Sequence, residues 1–171
     1  HTAGHASAYG GTMGEIYEVI SKDQFGSNLE TFNRKLARLP LDHEPGEGWI
    51  YGPSLNVVSR LVEVISGMTL PEFLERRIFR PLGMKDTTFW PTAEQLKRLA
   101  TPHKVNAPKT GLETNTISQL RYPLDERPKR FPMPAGGLFS TAADVAKFCQ
   151  MMLNGGQLNG KRYLSPTAFK E

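Results

Sequence analysis

Residues 45–83 read PGEGWIYGPSLNVVSRLVEVISGMTLPEFLERRIFRPLG. The stretch lays out two helices and the turn that feeds them. Pro45 to Gly48 close a turn cluster that begins at His43. Trp49-Ile50-Tyr51 follows, and a helix starts at Pro53 or Ser54. Leu55, Val58, Leu61, Val62 and Ile65 recur at helical spacing and form one apolar stripe. Gly67 supplies the stop, because glycine accepts the left-handed backbone that ends many helices. Thr69-Leu70-Pro71-Glu72 is a capping box with Pro just inside the next helix. Leu70, Phe73, Leu74, Ile78 and Phe79 make its buried face, and Pro81-Leu82-Gly83 ends it.

The same signals extend outward. The Gly-rich start is irregular, with a short helix around Glu15–Ile20. Ser27-Asn28-Leu29-Glu30 is a capping box with Ser27 as N-cap, and Leu29, Phe32, Leu36 and Leu39 carry that helix to about Arg38. Thr92 caps a short helix through Leu99. Residues 101–105 and 112–117 flank a polar turn and predict a hairpin. Ser140-Thr141 caps a helix with Val145, Phe148, Cys149, Met152 and Leu153 on one face. Leu158-Asn159-Gly160-Lys161 is a tight turn, and Ser165-Pro166 opens one more helix. The expected architecture is mostly α with a small β-hairpin.

Composition excludes several classes. The 171 residues suit one domain or part of one. A first residue of His and a last helix barely begun make residues 1–171 a single partial domain in our reading. The net charge of +4 falls short of the dense basic stripe of a nucleic-acid binder, so no nucleic-acid partner is expected. The basic stretch Arg121, Arg127, Lys129 and Arg130 reads as solvated surface. No apolar run approaches the roughly 18 residues of a membrane span. The single cysteine, Cys149, cannot form an intramolecular disulfide.

Motifs for chemistry are sparse. No Ser is followed three residues later by Lys, and Gly-x-Ser-x-Gly is absent. Thr101-Pro102-His103-Lys104 has the spacing, but Pro102 disfavours the helix such a pair requires. Lys109-Thr110-Gly111 spells an active-site triplet of penicillin-recognising enzymes, yet it falls at a hairpin tip, where Lys and Gly are ordinary. His1 and His5 have no third ligand nearby, and Gly10-Gly11-Thr12 has no following Lys to grip phosphate. No metal and no cofactor is expected. Tyr51 is the candidate catalytic side chain, presented by a turn beside a helix start.

Read together, His1-Thr2-Ala3-Gly4, residues 45–89 and residues 134–165 (PAGGLFSTAADVAKFCQMMLNGGQLNGKRYLS) resemble the serine β-lactamase-related family in order and spacing. That family comprises class C β-lactamases, DD-peptidases and esterases of the same build. The resemblance covers nearly the whole chain and is weakest over residues 101–130. It implies the helical subdomain of a β-lactamase/transpeptidase-like α+β fold. It also implies a Ser-x-x-Lys nucleophile before His1 and a Lys/His-x-Gly strand after Glu171, so the chain resembles only the middle of such an enzyme. Tyr51 matches the family's tyrosine, the general base of the reaction. Pro53 stands where the family often has Asn, which weakens β-lactam recognition and favours an esterase-like parent.

The expected function is therefore that of a serine acyl hydrolase fragment acting through an acyl-enzyme and inactive in isolation. The expected substrate is a small ester or amide, with β-lactams and peptidoglycan-derived molecules included. The alternative is a non-catalytic binding module built on the same fold. Faces that meet the rest of the fold would be exposed here and would favour self-association. The resemblance leans towards the periplasm or the cell exterior.

Overall fold

The computed structural model describes residues 1–8, 14–22, 26–117 and 131–170. The Gly10-Gly11-Thr12 stretch and the basic stretch 121–130 lie outside the described residues. The elements run α1 (Gly14–Ser21), α2 (Leu29–Leu36), α3 (Ser54–Ser66) and α4 (Leu70–Leu74). A π-helical turn (Glu75–Phe79) leads to α5 (Arg80–Leu82), then α6 (Ala93–Leu96). β1 (His103–Val105) and β2 (Leu112–Thr114) form an antiparallel hairpin. After α7 (Ala142–Leu153) come a second small hairpin, β3 (Gln157–Leu158) and β4 (Lys161–Arg162), and α8 (Pro166–Lys170).

α2 is the centre of the larger core. Leu29, Phe32 and Leu36 are buried on one face, as the periodicity predicts. They pack with Leu70, Phe89 and Phe131, and the Phe32 and Phe131 rings lie 5.2 Å apart. The cap differs by one residue from the sequence reading. Asn28, not Ser27, is the N-cap, with extended backbone and an Oδ1 that accepts from Thr31 N at 2.8 Å. Asn is as good an N-cap as Ser, and its choice places Glu30 one turn before Arg34, with which it pairs.

A second core joins Phe79 and Leu82 to Met84 and Met151. Leu74 packs against both cores and links them. The helix from Leu70 to Leu82 contains a π turn for a local reason. Pro81 has no N–H to give the carbonyl of Arg77, and its ring would press on that carbonyl in a regular helix. The ladder widens instead, and Arg80 N donates to Glu75 O. Pro81 O then accepts from the Tyr163 hydroxyl at 2.8 Å, which fastens α5 to the segment after β4.

α3 carries the apolar stripe that its spacing predicts, but on the outside. Its apolar stripe faces outward: Leu55, Val58, Leu61, Val64 and Ile65 are exposed, Ile65 to 84%. The inward residues are polar, with Asn56 and Ser59 buried. Val57 and Val62 touch the core from the helix flanks. Hydrogen bonds hold the polar face. Asn33 Nδ2 donates to Asn56 O at 3.2 Å, and Glu63 Oε1 accepts from Leu70 N at 3.0 Å. Helical periodicity finds a stripe but does not say what covers it, and among the described residues nothing does.

α7 repeats the pattern. Val145, Phe148, Cys149 and Leu153, predicted as one apolar face, are exposed, Leu153 to 81%. The buried positions are Asp144 and Met151. Asp144 is the anchor. Its carboxylate accepts from Asp86 N at 2.7 Å, from the Thr87 hydroxyl at 3.1 Å and from Lys147 Nζ at 2.8 Å. Desolvation raises its pKa, but the bonds from Lys147, Asp86 and Thr87 outweigh that and hold the carboxyl below its usual range. Lys147 Nζ also donates to Gly83 O.

Two outcomes follow. The Asp144 carboxyl is depressed in the folded state, so its contribution is present above the unfolded carboxylate range near pH 4 and is lost as pH falls below it. Asp144→Ala should cost about 1–3 kcal/mol, by leaving the Asp86 N–H and the Thr87 hydroxyl without their acceptor. Denaturant unfolding between pH 7 and pH 3 measures both, and the variant should lose part of the acid-dependent decline. Ile65→Lys, at an exposed apolar position, should change the unfolding free energy by less than about 0.5 kcal/mol. Phe32→Ala, in the core, should cost about 3–5 kcal/mol. Equal costs at the two positions would mean that the α3 stripe is buried.

Candidate functional site

Tyr51 is held by the N-terminal segment. Residues 1–7 run beside residues 41–52 and are joined to them repeatedly. Asp42 N donates to Gly4 O and Gly46 N to Thr2 O, both at 2.8 Å. Ile50 N donates to His1 O at 3.0 Å, and Gly52 N to His1 Nδ1 at 3.2 Å. The Ser7 hydroxyl donates to the carbonyl of Tyr51 itself. Ser7 is fully buried, so this bond is shielded from competing water. The His1 ring packs on both aromatics of the turn, 4.7 Å from the Tyr51 ring and 5.5 Å from Trp49.

Two glycines make this approach possible. Gly4 has φ of +72°, and a Cβ there would lie 2.0 Å from the carbonyl oxygen of His43. No L side chain fits. A Cβ on Gly52 would stand 3.1 Å from Ser7 Cβ, so a larger residue after Tyr51 would push on the Ser7 anchor. The Gly of the His-Thr-Ala-Gly block is thus required by contact with the chain forty residues on. His43 Nδ1–H donates to Glu44 O at 2.9 Å. His5, bridged to Leu41, is kept below the usual histidine pKa by burial.

Tyr51 opens on a cleft of about 120 Å³. Ser7, Gly52, Pro53, Leu55 and Asn56 line one side, and Tyr17, Phe131, Met133 and Ala135 the other. The lining mixes apolar with polar side chains and, among the described residues, includes no lysine or arginine. Pro53 is the N-cap of α3 and sits in the wall, so the position two after Tyr51 adds ring surface and no amide. A separate cleft of about 210 Å³ lies between α6 and Phe139. Its two charged groups, Asp86 and Arg98, are paired with each other and act structurally.

The other sequence candidates are not brought to Tyr51. Lys109, Thr110 and Gly111 sit in the exposed β1–β2 loop, where Asn106 Oδ1 accepts from Thr110 N and Gly111 N. Thr101 is exposed and outside any helix, so it is not paired with Lys104 in the manner of a nucleophile and its lysine. Among the described residues no group of three His, Cys, Asp or Glu is placed to hold a metal ion. None of the described helices is long and apolar enough to cross a membrane. The role of Ser7 was not legible in the sequence. A serine in a Gly- and Ala-rich start carries no local signal, and its bond spans 44 positions.

Comparison with known proteins identifies the family and agrees with the fold. Residues 1–170 match the family described as Beta-lactamase. Protein Rv1367c of Mycobacterium tuberculosis is 31% identical over 170 residues, covering 99% of this chain and 41% of that protein. Lovastatin esterase of Penicillium rubens is 51% identical over 59 residues, covering 34% of this chain and 15% of that protein. The solved structure of EstCE1, a hydrolase with promiscuous acyltransferase activity, superposes with a TM-score of 0.76 at 24% identity, over 99% of this chain and 47% of its own. The chain therefore spans less than half the length of these relatives. With the fold and the family match in accord, the chain belongs to the Beta-lactamase family.

Proposed function

We propose that the protein carrying this chain is an esterase-like serine acyl hydrolase and that Tyr51 is the phenol that moves the proton. The observation that carries the proposal is the fixed Tyr51 at the edge of a cleft, with its carbonyl bound by Ser7 and its ring packed by His1. In the reaction a serine oxygen attacks the acyl carbon and its proton passes to the phenolic oxygen. Collapse of the tetrahedral adduct breaks the ester C–O bond and returns the proton to the departing alcohol. Water then repeats the sequence on the acyl-enzyme, releasing the acid and the free serine.

This chemistry needs more than residues 1–171 contain. A phenol ordinarily ionises near pH 10 and serves as a base at neutral pH only beside cations. Among the described residues the cleft lining supplies none, and the chain has no Ser-x-x-Lys. The nucleophile, its lysine and the opposing strand are assigned to sequence outside this chain, and the isolated chain is inactive. The esterase reading draws support from Pro53, which replaces an amide with a ring. The exposed stripes of α3 and α7 support self-association of the isolated chain.

Intact-mass measurement after incubation with a fluorophosphonate, and separately with a penicillin, should show no adduct on the isolated chain. A stoichiometric adduct on any serine within it overturns the assignment of the nucleophile. In the full-length protein Tyr51→Phe should lower kcat/KM for a p-nitrophenyl ester by about 10²–10⁴-fold. Unchanged turnover would remove Tyr51 from the reaction. Sedimentation of the isolated chain should show mass rising with concentration, and Leu61→Glu with Ile65→Glu should return it to monomer. A clean monomer for the unmodified chain at high concentration would sink the self-association proposal.

A further inference from the structure

Asn56 is the anomaly of the cleft. It lies on the third residue of α3, one turn beyond Pro53, and both line the cleft beside Tyr51. Only 8% of it is exposed. Its backbone is fully used: its N–H donates to Pro53 O at 2.8 Å, and its carbonyl accepts from Asn33 Nδ2 at 3.2 Å. Its carboxamide makes no hydrogen bond to any described residue. The side chain is not sealed from solvent, so its donor and acceptor are open to a molecule in the cleft. Ser7 Oγ spends its proton on the Tyr51 carbonyl, so it has none to give the Asn56 carbonyl oxygen. Tyr17 and Tyr51 are the other polar side chains of the described lining, and Pro53, Leu55, Phe131 and Met133 give it apolar surface.

We infer that the Asn56 carboxamide is a specificity-determining group, which hydrogen-bonds a polar substituent on an otherwise apolar acyl chain. The inference rests on the acyl-hydrolase reading of the cleft. The acyl part is the half to assign here. It stays attached through both steps of the reaction, whereas the alcohol must leave to solvent, so a recessed, lined cleft suits the part that remains. An amide carries both a donor and an acceptor, so a hydroxyl or an amide group on the acyl chain satisfies it. A purely aliphatic chain would strip water from the carboxamide, leave it unpaired and be disfavoured for that reason. The position two after Tyr51 contributes no amide in this chain, and the helix supplies one from its next turn.

The test compares p-nitrophenyl butanoate with p-nitrophenyl 3-hydroxybutanoate in the full-length protein. These esters differ by one hydroxyl on the acyl chain. The unmodified protein should show the higher kcat/KM for the hydroxy ester. Asn56→Leu should lower the ratio of the two kcat/KM values by about 10–100-fold, as expected when one buried hydrogen-bonding group is removed. Asn56→Asp, equal in size and less disruptive to the helix, should also shift the ratio, because it exchanges the amide donor for a charged acceptor. A ratio unmoved in both variants, or in Asn56→Asp alone should Asn56→Leu fail to fold, overturns the inference. Tyr51→Phe separates the two readings. Full activity in that variant together with a shifted ratio in Asn56→Leu would remove Tyr51 from the chemistry and keep Asn56 in the site. A protein that hydrolyses neither ester overturns both.

Discussion

The close approach of Gly4 to His43 is the contact on which the site depends. A backbone with φ of +72° turns the N-terminal segment so that its carbonyls face the amides of residues 42–50. Three main-chain bonds and one bond to the His1 ring then tie together stretches about forty residues apart. Closing a loop of that size has an entropic cost that grows slowly with length, and several bonds formed together can offset it. What the closure gains is rigidity at Tyr51. A side chain expected to exchange a proton must be held in place, and here its carbonyl, its following amide and its ring are each engaged.

Local signals were readable to within a residue or two. Thr69, Thr92 and Thr141 cap the helices that their spacing predicts, and Gly67 and Gly83 end helices in the left-handed conformation. Asn159-Gly160 turns between β3 and β4 with positive φ at both residues, as the pair suggests. Tyr51 was legible because its neighbours on both sides form a block whose order and spacing carry information. Ser7 and Asn56 were not, since their significance comes from burial beside residues distant in sequence. The offset of the α2 cap from Ser27 to Asn28 has the same origin: two adjacent residues are both good caps, and only packing of Leu29, Phe32 and Leu36 decides between them.

α3 and α7 show where periodicity stops being informative. In each the apolar stripe is present and the helix forms, yet buried positions include polar side chains: Asn56 and Ser59 in α3, and Asp144 beside Met151 in α7. Asp144 is inward because fixed donors on Asp86, Thr87 and Lys147 await its carboxylate. The outward stripes are consistent with a chain less than half as long as the relatives it matches. A helix apolar on one side and hydrogen-bonded on the other belongs between two layers, and one layer is described here.

The π turn before Pro81 has a consequence for how this helix can change. An i→i+5 turn holds one residue more than an α turn, so everything after it is rotated by about 100° relative to a regular helix. Without that lag Phe79 would stand nearly opposite Leu70, turned away from the side that carries Leu74. With it, Phe79 and Leu82 come round to meet Met84 and Met151, while Leu70 remains in the first core. Length and phase are therefore coupled in this segment. Loss of a single residue between Glu75 and Phe79 would close the π turn to an α turn and leave α5 in phase, so the two cores that Leu74 joins would stay in register.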